Sequence, residues 1–315
     1  MIPYYWKSPA GNFGDDLNLW LWDALLPGFR DWEHAHWLMG VGTVLSASMP
    51  APASYMVVGS GIGYGAFPDN RAGWDIRCVR GPRTARALGL APEAGIIDPA
   101  ALITRLDMIT PTPGSGRDVY IPHWDSDMKS DYDWPDICAR AGIDYLSPRR
   151  DAKEVIGAIA GASRVITESM HGAILADAYR VPWCGVSLDA NFNQFKWHDW
   201  GDSIGLDFEI TPLPQQMQSL RRKLRQMRGK SEPVNHVRAT SHAPDDAPKA
   251  AAPHPHARKP HSPLVKAAHK LQAALTVRKL KAVQKERFYL SDETQLNAQL
   301  DRLEDTLRLI RQDFS

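Results

Sequence analysis

Over the first 220 residues, short apolar runs alternate with stretches of helical periodicity, and this alternation narrows the fold more than any other feature of the chain. Ile2–Trp6, Trp37–Val41, Tyr55–Val58, Ile76–Arg80 and Ile96–Ala100 read as strands, the last ending in a turn. Leu17–Leu26 and Pro82–Leu88 read as helices between them. After a break rich in Thr, Pro, Gly and Ser, Thr110–Arg117, the pattern restarts. Strands at Val119–Pro122, Ile143–Leu146, Arg164–Thr167 and Trp183–Leu188 alternate with helices at Pro135–Ala141, Ala152–Gly161 and Gly172–Tyr179. Buried strands separated by helices build parallel sheets covered on both faces. The restart predicts an α/β protein with two Rossmann-like, doubly wound domains facing a cleft, residues 1–112 and 113–228. Ligands of such sheets bind beyond the carboxyl ends of the strands.

Downstream the character changes. Residues 229–262 are dominated by Pro, Ala and His and read as a disordered linker. Helical periodicity resumes at Leu264–Leu290 and Gln295–Ile310, so residues 263–315 are expected to form C-terminal helices. The net charge of +1 hides a division: residues 1–220 carry 17 basic and 26 acidic groups, residues 221–287 carry 17 and 4. The basic run Arg221, Arg222, Lys223, Arg225, Arg228 and Lys230 lacks the interleaved aromatics or fold of a nucleic-acid binder. It suits either a solvated helix face or peripheral contact with an anionic membrane. Cys78, Cys138 and Cys184 match no metal or redox spacing and read as reduced, buried thiols. With no signal segment and no apolar run of membrane length, a cytoplasmic location is expected.

Candidate chemistry gathers at the expected strand ends. In Thr167-Glu168-Ser169-Met170-His171-Gly172, a strand runs directly into a helix. His171 suits proton transfer near neutral pH; alternatively it caps the helix or packs in the core. Glu168 either orients that imidazole or complements the helix N-terminus. Ser169 is not a nucleophile of the Gly-x-Ser-x-Gly type, because that motif is absent. Arg80 and Arg83, in Val79-Arg80-Gly81-Pro82-Arg83, can form a fork for phosphate or carboxylate, or lie on the surface. Gly59-Ser60-Gly61 departs from the dinucleotide fingerprint but permits close approach of a ligand. Asp15 and Asp16 either bind a sugar hydroxyl or a metal, or cap a helix. His123 beside Trp124 suits a sugar face or a carboxylate, and Lys196 an anion. A metal at His254 and His256 is not expected.

In this order, Asn12-Phe13-Gly14-Asp15-Asp16-Leu17-Asn18, Val57-Val58-Gly59-Ser60-Gly61, Val79–Arg83, Asp98-Pro99-Ala100, Ile121-Pro122-His123 and Thr167–Ala173 resemble the polysaccharide pyruvyl transferase family, in its bacterial exopolysaccharide branch. The resemblance covers about residues 1–220. It implies a glycosyltransferase-B-like fold and transfer of the enolpyruvyl unit of phosphoenolpyruvate to sugar hydroxyls as a ketal, with no cofactor or metal. The acceptor would be a sugar, lipid-linked or free. By the same resemblance His171 would be the acid/base and Arg80 a phosphoenolpyruvate ligand. Some relatives carry arginine where this chain has Ser169; Arg83, Lys196 or His123 would then supply the missing charge. A nucleotide-sugar glycosyltransferase and a catalytically silent sugar-binding subunit are the alternatives.

Overall fold

The structure is a computed structural model that describes residues 1–46, 49, 54–63, 71–129, 132–188, 192–214 and 263–314. The basic run at 221–230, the segment 229–262 and the His254/His256 pair lie outside the described residues.

Two parallel sheets organise the chain. The first contains β1 (Ile2–Pro3), β2 (Trp37–Met39), β3 (Tyr55–Val58) and β4 (Trp74–Cys78), hydrogen-bonded in sequence order. The register pairs Leu38 with Met56 and Val57 with Ile76. All of β3 is buried, as expected of a central parallel strand covered on both faces. The second contains β5 (Val119–Ile121), β6 (Asp144–Tyr145), β7 (Val165–Thr167), β8 (Trp183–Ser187) and β9 (Ile210–Pro212), in the order β6-β5-β7-β8-β9. β5 therefore has a later strand on either side. The chain reverses its direction of growth there, and the carboxyl ends of β5 and β7 border the resulting crevice.

Short helices lead into or out of these edges: α1 (Phe13–Asp16), α2 (Leu21–Leu25), α3 (Pro82–Ala87), α4 (Trp124–Lys129), α5 (Trp134–Ala141), α6 (Ala152–Ala160), α7 (Met170–Ala178) and α8 (Gln194–Ser203). The whole of α7 is buried, so it has no amphipathic stripe and depends on its neighbours. Two C-terminal helices complete the chain. α9 (Pro263–Val283) packs Val277, Leu280 and Val283 into the core that includes α5. α10 (Glu293–Asp313) buries Leu296, Leu300, Leu303, Leu307 and Ile310, the stripe expected from its 3–4 spacing. The junction before α10 is pinned to α7: buried Asp177 accepts from Ser291 N–H at 2.9 Å and from the Trp183 indole at 2.9 Å.

The expected strand at Ile96–Ala100 does not form. Gly95 makes one parallel bridge to Val79, and a 3-10 helix, Pro99–Arg105, begins immediately. Pro99 cannot donate to a ladder, and the Asp98 carboxylate takes the Ala100 N–H at 3.0 Å, starting the helix instead. The helix expected over Leu17–Leu26 is divided into a 3-10 turn, Leu17–Leu19, and α2. α4, α8 and β9 were not expected; α8 buries Trp197, Asp199, Trp200 and Ser203 together, which blurs any apolar period.

Candidate active site

His171 sits in the first turn of α7, just past the carboxyl end of β7, where its ring is nearly closed off from solvent. α1 approaches so closely that a Cβ on Gly14 would lie 2.0 Å from His171 Nδ1. Glycine is thus required there by proximity. α1 is held against the second sheet's half by Phe13 N–H, which donates to Pro148 O at 2.9 Å. The sequence therefore brings the Asn12–Asp16 turn of one half onto the imidazole of the other.

Across from the ring's other nitrogen lies Asp98. His171 Nε2 and Asp98 Oδ2 are 3.8 Å apart, and neither atom has a hydrogen-bond partner although both are buried. Buried polar groups without partners are uncommon and mark a place where a ligand, water or proton completes the arrangement. Asp15 is the third member. Asn12 Nδ2 donates to its Oδ2, and Gly42 packs beside its Oδ1. Burial pushes the Asp15 carboxyl up from 3.8 to about 6, against the opposing pull of His171 and Lys196 and with reinforcement from Asp16 and Asp98. Asp16 is also raised, chiefly by burial, while accepting from Asn12 N–H at 3.0 Å. Tyr5, next to both aspartates, is pushed up to about 12 by burial and their charge.

The remaining expected site residues fall into two other places. Glu168 braces strand ends: its Oε1 accepts from Leu188 N–H at 2.7 Å and its Oε2 from His123 N–H at 3.2 Å. It ties the carboxyl ends of β5, β7 and β8 together, and the acid facing His171 Nε2 is Asp98. Ser169 is the N-cap residue of α7, with its backbone held by the Thr167 hydroxyl.

Arg80 is completely buried. Its Nε donates to Asp199 Oδ2 at 3.1 Å, Nη1 to Thr43 Oγ1 at 2.6 Å and Nη2 to Ile62 O at 3.1 Å. Arg83, half-exposed, makes a forked pair with Asp202 at 2.8 and 3.1 Å. Arg80 and Arg83 thus meet Asp199 and Asp202 of α8 in matching steps of three. The Gly59–Gly61 loop serves the same packing: a Cβ on Gly59, which has φ +92°, would strike Pro99, and one on Gly61 would lie 2.3 Å from Arg80 Nη2. Its N–H groups are engaged too, Gly59 with Cys78 O and Gly61 with Gly42 O. Lys196 pulls on the Asp15 carboxyl through its charge. It lies near Gly63, whose Cβ would meet Lys196 Cβ at 3.6 Å. The three cysteines are buried free thiols, and no group of three or more metal-ligating side chains occurs among the described residues.

Asp98 stands in the recognisable motif Asp98-Pro99-Ala100. Nothing local in Ile97-Asp98-Pro99 reveals that α7 returns to face it.

These features define an α/β protein with an acid–imidazole site between elements of two parallel sheets. The polysaccharide pyruvyl transferase profile matches residues 71–190, a span that contains Asp98, Glu168 and His171. The chain is 49% identical over 217 residues to the succinoglycan biosynthesis protein ExoV of Rhizobium meliloti (strain 1021), covering 68% of each. No solved structure matches. The chain belongs to the polysaccharide pyruvyl transferase family, and is a transferase of exopolysaccharide biosynthesis.

Proposed function

We propose that the protein transfers the enolpyruvyl unit of phosphoenolpyruvate to two hydroxyls of a sugar, closing a pyruvate ketal. Within this reading, residues 1–112 and 113–228 act as two Rossmann-like halves in a glycosyltransferase-B-like arrangement, with the donor between them. The single observation that carries the reading is the pair of unpartnered buried atoms, His171 Nε2 and Asp98 Oδ2, beside Asp15 and within the field of Lys196.

The assignments follow from what each group can do. Lys196, whose charge acts on Asp15, takes the donor's charge. Arg80 and Arg83 dock α8, which carries Lys196, and so position that cation rather than contact the donor. His171, facing Asp98, delivers a proton to the methylene carbon. The neighbouring carbon becomes cation-like and is attacked by a sugar hydroxyl, whose proton Asp15 receives. Phosphate departs and a second hydroxyl closes the ring. Of the two hydroxyl protons, one ends in the new methyl group and the other on inorganic phosphate, so the reaction balances without a redox or metal step. The acceptor is proposed to be carried on a lipid at the cytoplasmic face of the membrane.

The direct test incubates the purified protein with phosphoenolpyruvate and extracted lipid-linked oligosaccharides. Equimolar phosphate release and pyruvate ketal are expected. Phosphate release without ketal, or turnover with UDP-sugars instead, would refute the assignment.

A further inference from the structure

α9 has one face built into the protein and one that is not. Val277, Leu280 and Val283 are buried, and Thr276 Oγ1 bonds the Tyr132 hydroxyl at 3.2 Å, which fixes the helix against α5. On the outward side Leu271 and Leu275, one turn apart, are 63% and 43% exposed. Exposed leucines in such a pair are unusual on a chain whose other exposed large apolar side chains, among the described residues, are Ile2, Leu19 and Leu309 on three separate elements. Exposed Lys270, Arg278 and Lys281 lie on the same helix, along one side of the pair. The chain that enters this helix is itself basic: residues 221–262 carry 10 basic and 3 acidic side chains.

We infer that the outward face of α9 docks on an anionic lipid bilayer, with Leu271 and Leu275 entering the acyl boundary and the neighbouring cations meeting headgroups. The charge selects the partner's sign, and the leucines select its kind. Nucleic acid offers phosphates but no hydrocarbon at its surface. A second copy of the chain could receive the leucines only with this same face about a two-fold axis, which would bring Lys270, Arg278 and Lys281 of the two copies together. A bilayer offers anionic headgroups and hydrocarbon within a few ångströms of each other. No helix of the described residues is long and apolar enough to cross a membrane, so the contact is one of lying on the surface. This inference does not depend on the transfer reaction.

The test is co-sedimentation of the full chain with phosphatidylcholine vesicles, with and without phosphatidylglycerol. Binding is expected only to the mixed vesicles. Leu271→Gln/Leu275→Gln should lower the partition coefficient about tenfold or more, since even partial burial of two leucines is worth at least that factor. Lys270→Gln and Lys281→Gln should each lower it about fivefold at low salt, from roughly 1 kcal/mol per surface cation. Glutamine preserves helix propensity and both positions point outward, so unchanged circular dichroism is expected in every variant. Wild-type protein that ignores the mixed vesicles overturns the inference. So does binding that the leucine variant retains in full, because the cations outside α9 would then account for it. A mass in light scattering that rises with concentration, and falls to the monomer in the leucine variant, would assign the face to a second copy instead.

Discussion

Two buried charged clusters lie on either side of the Val41–Thr43 turn, and they are satisfied to opposite degrees. On one side Arg80 and Asp199 are both fully enclosed, and Asp199 also accepts from Thr84 N–H at 2.8 Å and Thr84 Oγ1 at 2.6 Å. On the other side His171 and Asp98 face each other at 3.8 Å with an orphaned atom each, and Asp15 is raised by burial. A cluster in which every charged atom already has a protein partner has less to offer a ligand than one with orphaned atoms. It costs desolvation and returns a fixed geometry, here the docking of α8 on α3. A cluster left incomplete is a liability to the empty protein, and that is the usual mark of a working site. Charge alone does not tell the two clusters apart; counting partners does, and the orphaned atoms lie on His171 and Asp98.

Replacing His171 should separate the clusters most sharply. His171→Gln is expected to cut turnover by about 10²–10⁴-fold, the usual worth of a positioned proton donor. Its melting temperature should stay near that of the wild type, because the imidazole Nε2 makes no hydrogen bond to lose. The opposite signature is expected from Arg80→Met. Leaving Asp199 charged and buried without its guanidinium should cost about 3–5 kcal/mol in urea unfolding. A rise in KM for phosphoenolpyruvate with unchanged stability would instead make Arg80 a ligand for the donor. Asp98→Asn keeps an oxygen for the Ala100 N–H and removes the charge facing His171. Turnover should fall about a hundredfold, at the lower end of the range for acid–base groups, with the pH–rate profile displaced. Glu168→Gln, if it only braces strand ends, should leave that profile in place.

How much of this was legible follows from the reach of each signal. The parallel sheets were readable because Tyr55–Val58 and Val165–Thr167 are short buried runs beside glycine or helix starts, and burial of such runs is a local property. β4 forms two residues earlier than the run Ile76–Arg80 suggests: past Cys78 the chain changes partner, and Val79 bridges Gly95. α8 was invisible, since Trp197, Asp199, Trp200 and Ser203 are all buried and no stripe separates core from solvent. The same long-range fact hid the pairing of the arginines: both their carboxylate partners lie 119 residues away. The Gly14 contact with His171 is of the same sort. The motif Asn12–Asn18 was visible, but only the folded chain shows that its glycine makes room for an imidazole from the other half.

Asp15 tests whether the incomplete cluster is strained by its function. Its carboxyl is raised from 3.8 to about 6, so the folded protein holds that proton more tightly than the unfolded chain does. Stability from this residue is therefore present below about pH 4 and is lost as pH rises through about 6. At neutral pH the penalty is on the order of 3 kcal/mol, from about 1.4 kcal/mol per unit. Asp15→Asn should recover much of it at pH 7 while lowering turnover. The variant's advantage in melting temperature should vanish near pH 4. An advantage that does not change with pH would mean that Asp15 carries no such strain.

Arg83 is expected to give the smallest effect and completes the comparison within the satisfied cluster. It repeats the Arg80 pairing three residues on, here as a fork where Arg80 gives Asp199 only its Nε, but its side chain and that of Asp202 are 37% and 35% exposed. Water already screens the charges, so each partner left alone is resolvated rather than stranded. Arg83→Gln should cost no more than about 1 kcal/mol in urea unfolding, and less at high salt. Its KM for phosphoenolpyruvate should match the wild type. A several-fold rise in that KM, with stability unchanged, would show that the half-exposed arm leaves Asp202 to grip the donor, and would move one charge of the binding site back to the Val79–Arg83 motif.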